Sequence, residues 1–494
     1  MEGKKGISED WLSVWFGLFV FILGLGLYIG IDFLGWAVKT NMWVSLNKAT
    51  LSPVSGTIQG LPGITSLLLT YFFMLAIMVI GAAALGARIE RFILGFSLVF
   101  WLAYGCFLLG NYAYIAANTD ALLKQFGIGW SLKLTPEAGL IMALIGGLIV
   151  GNFFPRFAET LKEATRPELY IKTAIVILGA ALGVKAAGAL GLASNVLFRG
   201  LCAIIEAYLI YWAIVYFISS KYFKFSREWA APLASGISIC GVSAAIATGA
   251  AIRARPMVPI MVSSLVVIFA VVELLILPFL AEIYLWTQPM VAGAWMGLAV
   301  KTDGAAVASG AIVDALIRSK ALNEAGIRYD PGWITMAATT VKIFIDIFIG
   351  VWAFILAVIW CTKIECVGGR VKASEIWDRF PKFVIGYFLT FVIMILICLG
   401  AGAKYDMVGG KMVPNAAQKL AEAATGPMDI FRGLFFVLTF FTIGVVSNFK
   451  KLWEEGIGRL AAVYVLCLFG FIIWIGLAIS WIFFHGITPP VITG

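Results

Sequence analysis

The feature that most constrains this chain is the recurrence of apolar runs about 20 residues or longer. They fall at 11–37, 64–87, 92–117, 137–154, 170–190, 196–219, 229–252, 257–281, 286–313, 333–361, 382–402, 428–447 and 458–484. Each is of the order needed to cross a bilayer as a helix. None alternates polar with apolar residues, so a membrane barrel is excluded and helices are predicted. Hydrophobic residues make up 62% of the 494, against 13% charged, far from the balance of a soluble domain. The expected fold class is an all-α polytopic membrane protein with about 11 spans plus two broken or re-entrant helices.

Charge sets the expected orientation. Basic residues gather in alternate loops: Lys4/Lys5, Arg88/Arg91, Arg156/Lys162/Arg166, Lys221/Lys224/Arg227, Lys363/Arg370/Lys372/Arg379/Lys382 and Lys450/Lys451/Arg459. Loops 38–63, 118–136 and 403–427 hold fewer. The positive-inside rule makes the first group and the N-terminus cytoplasmic, in a bacterial inner membrane. The net charge of +9 is therefore topological, and no nucleic-acid partner is expected. The run Trp11–Val38 is too long for a cleaved signal and reads as a first span.

Reactive residues are few. Seven scattered cysteines lie mostly in apolar segments and read as packing residues. Cys361 and Cys366 flank a loop end without a histidine to complete a metal set, and His485 is the chain's one histidine. No Walker-type loop is present. Histidine-centred catalysis, haem, zinc and direct ATP hydrolysis are thus not expected, and the chain does not read as an enzyme.

Two segments interrupt the apolar pattern. Ser235-Gly236-Ile237-Ser238-Ile239-Cys240-Gly241-Val242-Ser243-Ala244-Ala245 puts two glycines and three serines at mid-segment, and Lys301-Thr302-Asp303-Gly304 interrupts another. Irregular backbone survives at membrane depth only where protein or a watery cavity satisfies it. Each arm beside a break has about ten residues, about 15 Å of helix or half the hydrocarbon core. A re-entrant hairpin and a broken crossing helix both fit that length. The hairpin alternative keeps Arg253 and Arg255 on the basic side. It also makes 137–281 and 286–484 inverted repeats, with Leu182-Gly183-Val184 matching Ile443-Gly444-Val445. Residues 1–130 fall outside this scheme as an accessory layer, and 131–494 form the expected transporter core.

Gly236-Ile237-Ser238-Ile239-Cys240-Gly241-Val242-Ser243-Ala244-Ala245 resembles the Gly-Thr-Ser-Ile-Cys-Gly-Ala-Ser-Ala-Ile run of a bacterial membrane family described as sulfate exporters. Ile177–Gly183, Gly297-Leu298, Val307–Gly310 and Ala338-Thr339-Thr340-Val341-Lys342 resemble its later motifs, over roughly 135–494. Distant relatives of that family include sodium- and proton-coupled transporters with inverted repeats. The resemblance implies an anion transporter. Departures at Ile237, Ile345 and Lys301–Asp303 fall where selectivity or the coupling ion would be set.

The residues themselves suggest roles. A half-helix starting at Gly241 would offer free amides and a positive dipole end to an oxyanion. Ser238, Cys240, Gly241, Ser243, Thr302, Gly304 and Lys342 are the expected substrate-binding set, and Lys301, Asp303 and Asp346 the ion-coupling set. Lys301 would neutralise Asp303, and Lys342 would pair with Asp346 four residues on. The bland alternatives are a small-residue packing face and a structural ion pair. Glu206 and Glu273 stand alone in sequence at membrane depth, Arg199 would snorkel, and Asn152, Asn195 and Asn448 would cap helices. The expected function is a secondary active transporter of a small anion (sulfate, organosulfonate or carboxylate) working by alternating access. Its partners would be that anion, the bilayer and a second copy in a homodimer; no cofactor is expected beyond possible Na+ as coupling ion. A cation/proton exchanger and a passive anion channel are the alternatives.

Overall fold

The computed structural model describes residues 8–492 except 48, 56, 57, 59, 118, 119, 133, 135–137, 189, 256, 361–363, 365–376, 378, 379, 409, 410 and 448–457. The expectations for Lys4, Lys5, Cys361, Lys363, Cys366, Arg370, Lys372, Arg379, Asn448, Lys450 and Lys451 lie outside the described residues.

The long helices are α1 (Glu9–Leu25), α2 (Gly63–Ala84), α3 (Ile89–Gly110), α4 (Ala138–Phe153), α5 (Pro167–Gly188), α6 (Leu190–Tyr222) and, later, α9 (Met257–Leu285), α12 (Trp333–Ile359), α13 (Lys382–Gly400), α14 (Ala416–Val446) and α15 (Gly458–Phe484). The two interrupted segments form α7 (Arg227–Ser235) with α8 (Gly241–Ala251), and α10 (Pro289–Ala299) with α11 (Asp303–Ala325). Two small antiparallel ribbons, β1 (Val38–Thr40) with β2 (Leu51–Pro53) and β3 (Tyr405–Val408) with β4 (Lys411–Pro414), sit in the connections. Local signals agree with these boundaries. Ser8 accepts from the Trp11 amide ahead of acidic Glu9 and Asp10, a favourable helix start. Gly326, at φ +67°, closes α11.

By length and composition, 11 helical runs among the described residues suffice to cross a membrane, Arg227–Ala251 among them. That run does not cross. The Thr248 hydroxyl donates to Ser235 Oγ at 2.7 Å, whereas residues 13 apart on a straight helix are separated by about 20 Å. α7 and α8 are therefore antiparallel legs of a hairpin, joined by a π-helical turn at Gly236–Cys240. Arg255 and Glu228, 3.0 Å apart, clasp its open end. α10 and α11 fold back likewise. A Cβ added to Gly297 would lie 2.5 Å from Ala338 O, and one added to Gly310 would lie 2.5 Å from Ala338 Cβ, so both legs touch one residue of α12. Setting the first hairpin aside and counting α4, which bends by 117° into the next helix, leaves eleven crossings and two hairpins among the described residues.

The 29 residues of α9 span about 43 Å, so the hairpins enter from opposite ends. The first opens at the end that carries Arg166, Arg227 and Arg255, called here the basic end. The second opens at the other. There Asp330 N donates to Pro490 O and Ile492 N to Arg328 O, so the C-terminal tail is strapped to the exit of the second hairpin.

Two helix pairs frame the hairpins, α4 on α14 and α5 on α13, while α5 also packs on α14. Glycines bring them close: an added Cβ would meet Phe441 O at 2.0 Å from Gly147, and Leu144 O at 2.4 Å from Gly444. α1 joins the frame at the basic end, where Asp10 accepts from Lys172 Nζ at 2.7 Å and from Lys382 N at 3.3 Å, beside a 2.6 Å Glu9–Arg166 pair.

Three expectations change. α14 begins at Ala416 rather than 428, because Asn415 caps it through Gln418 N and Ala416–Ala424 are strong helix formers despite low hydropathy. Arg199 does not snorkel to the interface: its guanidinium donates to Phe483 O at the end of α15, where carbonyls lack helical partners. Asn152 does cap, donating to Ser447 O at 2.9 Å, but Asn195 lies within α6 rather than at an end.

Gly147→Leu should lower the thermal midpoint of the purified protein, by overpacking worth about 1–3 kcal/mol. Gly105→Leu, with open space at its Cβ, should leave that midpoint within error.

Candidate functional site

The two hairpin tips meet in the interior. Gly241 reaches φ +45° and ψ −106° at the tip of the first. A Cβ there would stand 2.6 Å from Val266 Cγ1, 3.1 Å from Lys301 O and 3.3 Å from Thr302 Cγ2. The close approach and the positive φ both require glycine. In the second tip, Val300, Lys301 and Thr302 are non-helical, and Thr302 Oγ1 caps α11 through Ala305 N at 3.3 Å.

Lys342 of α12 joins the tips. Its ammonium donates to Ile239 O of the first hairpin at 2.7 Å and to Lys301 O of the second at 3.4 Å. It also stands 3.6 Å from Asp303 Oδ1. The Cys240 thiol donates to that same oxygen at 2.5 Å. One oxygen each from Asp303 and Asp346 and the Cys240 sulfur lie within 4.8 Å of one another. Asp346, 1% exposed, has neither carboxylate oxygen hydrogen-bonded among the described residues.

The pairings read from spacing are changed in part. Lys342 makes its close contacts with Asp303 and the tip carbonyls, while Asp346, one turn along the same helix, remains its electrostatic neighbour. Lys301 does not neutralise Asp303. Its ammonium donates to Leu298 O, capping the C-terminal end of α10, and lies 4.5 Å from the centre of the Tyr211 ring. Its backbone N–H donates to Glu273 Oε2 at 2.9 Å, and Glu273 Oε1 accepts from Tyr464 at 3.2 Å. Glu273 thus belongs to the site although nothing adjacent in sequence points to it. Glu206, fully buried in a π-helical stretch, leaves both oxygens without a partner among the described residues. Its Oε1 would be 3.3 Å from a Cβ at Gly476.

The remaining predicted residues divide. Ser238 is fully buried with an unpartnered hydroxyl, and Ser243 is half-buried in the first turn of α8. Among the described residues no side chain caps the amides at the start of α8. Thr302 and Gly304 line a crevice of about 20 Å³ that runs to Glu168 at the basic end, between Ile171, Thr439 and Ile443. That is room for one water.

A donor set of one thiol and two carboxylates is mixed. The sulfur suits soft metals and the oxygens hard ones, while Lys342 already holds a positive charge beside Asp303. The geometry fits charge exchange better than a resident metal.

Gly241→Ala should cost about 1–3 kcal/mol through its backbone conformation alone, and should lower the thermal midpoint. Gly486→Ala, also at positive φ but with open space, provides the measure of the conformational part. Lys342→Met should cost about 3–5 kcal/mol by leaving Asp303 and the tip carbonyls uncompensated, read as loss of thermal midpoint and of folded yield.

No solved structure matches the chain. A family model described as conserved hypothetical protein 698 matches residues 126–462. A UPF0324 membrane protein of Nitrosomonas europaea is 41% identical over 98% of this chain and 97% of its own length. A UPF0324 membrane protein of Nitratidesulfovibrio vulgaris is 29% identical, covering 86% of this chain and 65% of that protein. An uncharacterized protein of Archaeoglobus fulgidus is 56% identical over 32% of this chain. With its multiple membrane-crossing helices, the chain belongs to the UPF0324 family of membrane proteins.

Proposed function

We propose that the chain is a secondary active transporter that moves a small anion by alternating access, and that sulfate, an organosulfonate or a small carboxylate is the substrate. The observation that carries this reading is the meeting of two oppositely directed hairpin tips at a buried cluster of ionisable groups. Discontinuous helices with half-helix ends at mid-membrane are how secondary transporters hold substrates and coupling ions. The uncapped start of α8, with Gly241 and Ser243, is the anion-facing element, and Ser238 is the buried hydroxyl beside it.

Charge balance supports coupling. Asp303, Asp346, Glu273 and Glu206 face Lys301 and Lys342, four carboxyl groups against two ammonium groups, all buried. Such a site admits an anion only together with added positive charge, because unpaired charge in the interior is costly. A co-bound cation, Na+ or H+, would supply it at Asp303 and Asp346.

The pairing of α4 with α14 and of α5 with α13 is what two inverted repeats, 137–281 and 286–484, would produce. In that scheme the hairpins and their neighbours move against the frame as an elevator, and the N-terminal layer is scaffold and homodimer contact. The resemblance to the sulfate exporter family supports the anion. The basic end is placed in the cytoplasm, with the N-terminus, in a bacterial inner membrane.

A thermal-unfolding panel of sulfate, sulfite, thiosulfate, taurine, sulfoacetate and dicarboxylates, each with and without sodium, tests the reading. A ligand at 100 times its Kd stabilises the folded state by about 2.7 kcal/mol, so at least one anion should raise the midpoint. A shift with sodium alone and with no anion would favour a cation/proton exchanger, which the Asp303–Asp346 pair would also serve. Proteoliposome uptake against a gradient separates a transporter from a passive channel.

A further inference from the structure

The crevice from Glu168 to the second hairpin tip, with about 20 Å³ of room, is large enough to hold a water. Thr302 and Gly304, the neighbours of Asp303, form its inner end, and Glu168 forms its outer end. Glu168 keeps 34% of its side-chain surface open and pairs with Lys172 at 3.2 Å. The carboxylates of Glu168 and Asp303 interact electrostatically. A water-sized opening therefore leads from the basic end to the residues that flank Asp303.

The ligand set at the inner end disfavours a bound sodium ion. Among the described residues two carboxylates and one thiol converge, the thiol is a poor partner for a hard cation, and the carbonyls that could complete a sodium shell, Ile239 O and Lys301 O, are taken by Lys342, which stands 3.6 Å from Asp303. Two carboxylates this close cannot both stay ionised cheaply, and one proton between them, with Lys342 charged, leaves the group neutral. Asp346 supplies the vacant acceptor, since both its oxygens are buried and unpartnered among the described residues.

We propose that Asp303 and Asp346 share one exchangeable proton, loaded from the basic end through Glu168 and the crevice water, so that the proton is the coupling ion. This deepens the transport reading and rests on it for the word coupling. In the loading step a Glu168 carboxylic acid gives its proton to the crevice water, which passes a proton to one aspartate. Glu168 is left as a carboxylate and is reprotonated from solvent. The groups that face the pair are Lys342 on α12, Cys240 at the first tip, Tyr208 on α6, Glu273 on α9, Lys301 at the second tip, and Glu168 and Lys172 on α5.

Infrared difference spectroscopy of the full chain in nanodiscs tests this without any anion. At neutral pH the protein should show a protonated-carboxyl C=O band that is lost on alkalinisation. The band should be absent in Asp303→Asn and in Asp346→Asn, and should return, shifted, in Asp346→Glu, which keeps the carboxyl if the amide variants fail to fold. After a pH jump, Glu168→Gln should slow the band's change at least about tenfold, within the range general acid–base groups contribute, with its final amplitude unchanged. A band that persists in both amide variants overturns the proposal. So does removal of the band by NaCl at constant pH, which would make sodium the ion, or an unchanged rate in Glu168→Gln. If the band behaves as expected while no anion shifts unfolding or enters proteoliposomes, the anion reading fails and the proton site stands. Sodium-driven anion uptake at equal pH would do the reverse.

Discussion

One ammonium group holds the centre of this molecule together. Lys342 accepts the company of a carbonyl from each hairpin tip and of the Asp303 carboxylate. Each carbonyl belongs to the C-terminal part of a hairpin's first leg or its turn, where helix dipoles leave negative potential. Without a cation, those two regions and Asp303 would repel one another in a medium that screens poorly. The lysine thus decides that two re-entrant elements from opposite ends can touch at all. Lys301 has a parallel task on a smaller scale, covering Leu298 O.

Around that contact, the chain has used glycine where backbone must approach backbone and acids where charge must change. Gly241 permits the tips to close, while Gly297 and Gly310 let both legs of the second hairpin lie on Ala338. The acids sit at the boundaries between the hairpins and their neighbours, Glu273 on α9 and Glu206 on α6, and not inside any one helix pair. The surroundings of Glu273, Glu206, Asp303 and Asp346 are therefore set jointly by how the hairpins pack on their neighbours.

The long helices were legible because hydrocarbon length is a strong constraint, and the breaks were legible because serine, glycine, lysine and aspartate are costly there. The hairpin geometry was not, since arms of about ten residues fit a crossing or a return equally well. The Ser235–Thr248 contact and the Glu228–Arg255 pair, between residues whose spacing says nothing, distinguish them. Ion pairing was misread for a similar reason. Spacing places Asp346 one helical turn from Lys342, but the two hairpin tips arrive closer, each with a carbonyl and the second with Asp303. Glu273 and Glu168 join the cluster from α9 and α5, and sequence separation hides such meetings. The early start of α14 was missed because a helix that extends beyond the bilayer core has no need to be apolar.

The C-terminal tail is bound to the exit of the second hairpin by the Asp330–Pro490 and Ile492–Arg328 backbone hydrogen bonds. It also follows α15, whose Ile473–Phe484 half leans on α10. Tail, hairpin exit and final helix are consequently tied together at a place that surfaces far from the buried tips. A fluorophore carried on that tail would report the position of the second hairpin's exit relative to a label at the start of α1 without touching the ionisable centre.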